Sequence, residues 1–121
     1  MVDVVVRVTV RRRLERFNVT TLPFTVRVYI NNQVLLPASL VRALGITHLR
    51  FADVELEYKG FIIELKGVRL LRTRHTDSRQ FTIPRGVREL YGIGPGDIVK
   101  ILSIRPPVLT MSNSKIIMVM N

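Results

Sequence analysis

Apolar and polar residues alternate along several short runs of this chain, and a period of two predicts strands. Residues 2–10 place Val4, Val6, Val8 and Val10 on one face. Residues 24–30 alternate in the same way, and Asn31-Asn32 predicts a hairpin turn after them. A second strand pair is predicted at residues 53–58 and 61–65, joined by a turn at Lys59-Gly60. Further strands are predicted at residues 68–74, 97–104 and 116–120, with a turn at Thr76-Asp77-Ser78 and a break at Arg105-Pro106-Pro107. Arg11-Arg12-Arg13-Leu14-Glu15-Arg16 reads equally as a basic turn or a short helix.

Helical spacing occurs twice, in matching contexts. Gln33-Val34-Leu35-Leu36-Pro37 runs into Ala38-Ser39-Leu40-Val41-Arg42-Ala43-Leu44-Gly45-Ile46. Gln80-Phe81-Thr82-Ile83-Pro84 runs into Arg85-Gly86-Val87-Arg88-Glu89-Leu90-Tyr91-Gly92-Ile93. Proline cannot donate to a ladder but is well tolerated at a helix start. The apolar positions three, six and seven past each proline fall on one helical face, and the glycine eight past predicts a left-handed stop. The matching strands on either side make each copy β-β-α-β-β. Aligning Asp53 with Asp97 requires three extra residues in the first copy, within residues 47–52. Half a barrel of this kind leaves open edges and an uncovered apolar face, so two copies are expected to close one β-barrel. The expected fold is mainly β with two short helices, a pseudo-symmetric barrel. Residues 1–23 form an N-terminal strand and basic segment, residues 24–66 the first repeat and residues 67–121 the second, both repeats making one domain.

A length of 121 residues suits one domain, and 47% hydrophobic residues suffice for a core. With no cysteine, disulfides and thiolate metal sites are excluded. The net charge of +10 adds a functional expectation, because such a field attracts polyanions. Residues 67–121 hold 9 basic and 3 acidic groups, against 5 and 2 in residues 1–23 and 5 and 4 in residues 24–66. Arginine outnumbers lysine 15 to 4, and the guanidinium fork suits phosphate and guanine. A GC-rich genome or a hot habitat produces the same bias. No apolar run reaches the roughly 20 residues of a membrane span, and the N-terminus lacks the features of a signal peptide. A cytoplasmic protein without membrane contact is therefore expected, and Asn18-Val19-Thr20 reads as a chance glycosylation sequon.

The repeated motif resembles that of the AbrB-type (SpoVT-AbrB-like) swapped-hairpin regulators: an apolar run into proline, a short arginine-bearing helix, Leu-Gly-Ile, then Pro-Gly-Asp leading into a strand. The second copy carries it through Gly94-Pro95-Gly96-Asp97, whereas Thr47-His48-Leu49-Arg50-Phe51-Ala52-Asp53 replaces that turn in the first. Two repeats in one chain are also similar to MraZ-type regulators and to the substrate-binding barrels of some AAA+ ATPases. The resemblance covers about residues 24–121 and implies an intertwined barrel that binds DNA through basic residues on the strand-to-helix surface. By position it points to Arg88 and Arg42 on the helices, and to Gln33 and Gln80 four residues before the prolines, where the family carries a cation.

The residues themselves point to the same region. Arg72, Arg74, Arg79, Arg85 and Arg88 cluster around the second hairpin and helix, with Arg72 and Arg74 expected on one strand face. Arg85 in a first helical turn opposes the macrodipole, which hints at an external anion. Arg27 joins this DNA-binding set, and Arg11, Arg12 and Arg13 form a candidate basic arm. Each of these groups also reads as a merely solvated basic surface.

Other constellations carry less. His75-Thr76-Asp77-Ser78 has the residue types of a hydrolase triad, but neighbouring turn residues do not converge, so the motif reads as a turn and no enzyme is expected. His48 and His75 have no cysteine or carboxylate cluster, so neither metal nor other cofactor is expected. The glycines of residues 92–96 precede a strand, the wrong context for a phosphate loop. Asp53, Glu55, Glu57 and Glu64 read as an acidic patch on a solvated strand face. The expected function is a DNA-binding transcriptional regulator on double-stranded DNA, its basic face dominated by the second repeat. The alternative is a protein-interaction barrel, an antitoxin-like or adaptor module with incidental nucleic-acid binding. Few aromatics lower the expectation of RNA binding. Homo-oligomers and a protein partner stay open.

Overall fold

The computed structural model describes residues 19–112 and 115–118. The expected strand at residues 2–10 and the basic arm Arg11, Arg12 and Arg13 lie outside the described residues. The strands are β1 (Phe24–Arg27), β2 (Gln33–Leu36), β3 (Phe51–Tyr58), β4 (Phe61–Arg69), β5 (Leu71–Arg72), β6 (Arg79–Thr82), β7 (Ile98–Arg105), β8 (Leu109–Ser112) and β9 (Lys115–Met118). The helices are α1 (Ala38–Ala43), between β2 and β3, and α2 (Arg85–Tyr91), between β6 and β7. The protein is mainly β. One sheet has the order β1-β7-β3-β4, a second has β2-β6-β5, and β8 pairs only with β9. All ladders are antiparallel.

The expected closed barrel does not form among the described residues. The larger sheet is open, with β1 and β4 at its edges. The core forms between the sheets instead. Leu36, Phe81 and Ile83 from the smaller sheet and its exit, and Leu56, Leu65 and Ile101 from the larger, are fully buried together.

The register relates the two halves. In the β2–β6 ladder Val34 pairs with Phe81, the residue 47 positions further on. Antiparallel pairing of equivalent residues places a local two-fold axis between them. The β3–β7 ladder has Glu55 opposite Ser103 and Leu56 opposite Ile101, so its centre falls at Glu55 and Leu102, again 47 apart, where a bulge shifts the register. Pairing across the halves is reciprocal. Val28 N donates to Asp97 O and Leu70 N to Arg50 O, each at 2.8 Å.

That equivalence corrects the expected alignment. Arg50, not Asp53, corresponds to Asp97, and no insertion is needed, since β3 and β7 both begin one residue later and both run 8 residues. Asp53 belongs to a bulge. Between Ala52 and Val54 the β3–β4 register shifts, so Ala52, Asp53 and Val54 are buried in succession instead of alternating. The Asp53 carboxylate, 1% exposed, accepts Gly67 N at 2.8 Å and Val108 N at 3.0 Å. It is a strut, not part of a solvated acidic patch. Glu64 faces Lys66 and Arg105, and Glu57 lies 3.7 Å from Lys100, so these two carboxylates are offset by local cations.

The helices end as the glycines predict. Gly45 and Gly92 have φ of 66° and 72°, and the next residues, Ile46 and Ile93, donate back to Val41 O and Arg88 O. Their buried faces differ from the expected stripe. In α1, Leu40 and Val41 are buried and Ala43 is exposed; α2 buries no residue fully and leaves Leu90 76% exposed. Two turns seated edge-on reach the core with fewer positions than a long amphipathic helix.

Replacing Asp53 with alanine strands two backbone N–H groups and should cost about 2–3 kcal/mol, whereas Asp53→Asn, which keeps one acceptor oxygen, should cost roughly half. Glu55→Ala should stay within about 0.5 kcal/mol of the parent. Urea-denaturation midpoints measure all three; an Asp53→Ala variant as stable as Glu55→Ala would refute the strut.

Candidate nucleic-acid interface

The second hairpin is the main structural difference between the halves. Tyr29 N reaches Gln33 O directly, and Leu71 pairs with Gln80 in the equivalent place. Four residue steps separate Tyr29 from Gln33 and nine separate Leu71 from Gln80. The five additional residues make a loop that side-chain hydroxyls organise. Thr76 Oγ1 donates to Thr73 O at 2.9 Å and accepts Ser78 N at 3.2 Å, and the hydroxyls of Thr73 and Ser78 are in direct contact. Asp77 turns outward to Arg42 at 3.2 Å. Ser78 and Asp77 thus point to different partners.

The expected arginine cluster divides by role. Arg79 is 7% exposed, and its guanidinium donates to Asp77 O at 2.7 Å, Ser78 O at 3.1 Å and Thr47 O at 2.9 Å. It cements the loop to the segment after α1 and is not presented to a ligand. Arg72 and Arg74 do not share a strand face. β5 stops at Arg72, whose Nε donates to Thr76 O at 2.9 Å, and Arg74 sits in the loop with φ of 53°. Both are exposed. Arg85 is also exposed, and its Nε meets Glu89 Oε1 at 2.8 Å, which answers locally the unfavourable position of a cation in the first helical turn. Such a surface pair contributes little and is easily exchanged. Arg88 is half-buried with Nε on Ile83 O at 2.9 Å.

Arg42 is exposed on α1 and brought to the same side through Asp77. Gln33 and Gln80 are half-buried within the smaller sheet, opposite Thr82 and Leu35 respectively. Arg27 is exposed on β1 opposite Ile98, in the other sheet from Arg72.

Sequence reasoning missed Arg69. The reciprocal bonds of Val28 and Leu70 make Arg69 the counterpart of Arg27, whereas matching residues 24–30 to residues 68–74 had set Leu71 there. Arg69 rims a half-open cleft of about 340 Å³ whose apolar lining is Val68, Leu71, Ile83 and Pro84. Arg85 and Arg88 also line it, so three arginines border one largely apolar depression. Among the described residues, of Arg69, Arg72, Arg74, Arg85 and Arg88 only Arg85 is ion-paired. No three potential metal ligands gather among the described residues, and no described helix is long and apolar enough to cross a membrane.

Arg79→Ala should cost about 1–3 kcal/mol by orphaning three carbonyl acceptors, while Arg74→Ala should change stability by less than about 0.5 kcal/mol. Thermal melts of the two variants check this, and equal melting temperatures would contradict the division of roles. In comparisons with known proteins, no family model, curated protein or solved structure matches this chain.

Proposed function

We propose that the protein is a cytoplasmic DNA-binding regulator of the AbrB type, in which two fused repeats present one asymmetric basic face. The observation that carries this reading is the second hairpin and α2. Arg69, Arg72, Arg74, Arg85 and Arg88 lie there with a single carboxylate partner for them among the described residues. Unpaired guanidinium groups on a basic chain release phosphate counterions on binding, which drives association with a duplex. The reciprocal pairing of each half's first strand with the other half's long strand supports a swapped-hairpin arrangement. Phosphate contacts from Arg69, Arg72 and Arg74 give affinity, and Arg42 and Arg88 stand at the helix positions where the family reads DNA.

A second reading, a protein-interaction module, draws on one observation. Phe61, Ile62 and Leu90 are exposed, and the Phe61 ring packs on Tyr91 at 5.4 Å, so apolar surface gathers beside the end of α2.

A mobility-shift titration on a duplex separates the two. With four or five phosphates contacted, log K should fall against log salt with a slope of about −4. Arg74→Ala and Arg69→Ala should each reduce that slope by about 1, and Glu55→Ala should leave it unchanged. Binding that ignores salt, or no binding at low salt, refutes the DNA reading.

A further inference from the structure

The local two-fold axis gives the smaller sheet two related edges, β5 on one side and β2, bordered by Tyr29 and Ile30, on the other. Along the β5 edge, cations follow one another from helix to helix. Arg69 shares its cleft with Arg85 and Arg88 at the start of α2. Arg72 comes three residues later, about 10 Å along an extended chain. Arg74 stands in the loop beyond, and the same loop reaches Arg42 of α1 through Asp77. Arg50 is exposed as well and joins this edge where its carbonyl accepts Leu70 N.

The equivalent positions on the β2 edge carry little of this charge. Arg69 is matched by Arg27, but Arg72 is matched by Ile30, which is 83% exposed. Arg74 stands in the lengthened loop that the first hairpin lacks. Arg85 and Arg88 are matched by Ala38 and Val41. Two positions reverse sign: Arg50 is matched by Asp97, and Arg42 by Glu89. The backbone is two-fold, whereas the cations, among the described residues, gather on one edge.

A protein with a true two-fold axis presents the same groups to both halves of a duplex, and its sites are inverted repeats. A duplex drawn to one charged edge lies to one side of that axis. We propose, building on the DNA reading, that the chain holds a duplex off its local two-fold axis, with one strand's phosphates along the β5 edge, so that its target is a single site without an inverted repeat. The step from Arg69 to Arg72 spans about three base pairs, at about 3.4 Å each. Asp77 tunes the contact, because its carboxylate holds Arg42 where a phosphate would otherwise sit. Both members of that pair are exposed, so a phosphate displaces the carboxylate at little cost.

Selection of duplexes from a random pool by the full chain, then phosphate-ethylation interference on the tightest-binding duplex, tests the arrangement. The selected duplex should contain no inverted repeat, and the interfering phosphates should form one run without a symmetric partner run. Arg69→Ala should weaken binding about three- to tenfold, whereas its counterpart Arg27→Ala, equally exposed, should leave affinity unchanged. Asp77→Asn, which keeps the carbonyl that accepts Arg79, should strengthen binding about two- to fivefold. An inverted repeat, two symmetric runs of interfering phosphates, or equal losses for Arg27→Ala and Arg69→Ala would overturn the off-axis arrangement and leave the DNA reading standing. An Asp77→Asn variant no tighter than the parent would overturn the role of Asp77. Absence of any duplex binding at low salt would remove the DNA reading, and this proposal with it.

Discussion

The antiparallel pairing of β2 with β6 is the constraint on which the rest of this structure depends. Val34 and Phe81 are both wholly buried and face each other across a local two-fold axis. Because side chains alternate along a strand, a slip of one residue would turn Leu36, Phe81 and the residues beside them away from the core. The apolar faces of both strands therefore hold the register, and the register sets where each following proline starts its helix. The two helices, the two glycine stops and the two long strands inherit equivalent positions from this one ladder. The β3–β7 ladder repeats the relation in the other sheet, and the core fills the space between.

Symmetry of the backbone does not extend to the surface. Five added residues lengthen the second hairpin, and Arg79 and the threonine hydroxyls give that loop internal support. Arg50 stands where the second half has Asp97, whose carboxylate accepts Gly94 N at 2.8 Å and lies 3.2 Å from Tyr58 Oη. Ser39 of the first helix bonds Val19 O of the chain ahead of β1, whereas Tyr91 at the end of the second packs on Phe61. A duplicated unit can change in this way because a position that is core in one half is surface in the other. Val41 completes the interior, while the equivalent Arg88 is half-buried with its Nε on Ile83 O.

Charge follows the same division. In the first half Glu57 meets Lys100 and Glu64 meets Lys66 and Arg105, and Asp53 turns inward to bind backbone N–H groups. Acidic and basic groups largely satisfy each other there. Around α2 only Arg85 has a carboxylate partner among the described residues, Glu89, and Arg72 and Arg88 donate to backbone carbonyls, so their charge is not neutralised locally. An excess of cations left uncompensated on one side is what a polyanion can recognise.

The sequence alone determined the elements whose signals are local. Period-two runs marked most strands, proline and glycine bounded both helices, and Lys59-Gly60 formed its turn with both residues at positive φ. The basic surface near α2 was legible for the same reason, since net charge is a sum over residues. What depends on neighbours distant in the chain was decided only by the fold. The bulge at Asp53 broke the alternation that had placed it on a solvated face, and Leu90 satisfied the helical period yet faced outward. The open sheet, the burial of Arg79 and the place of Arg69 as the counterpart of Arg27 arise from pairing between halves. Hydrophobic periodicity specifies which face of an element is apolar; only the packed partner specifies which of those residues it covers.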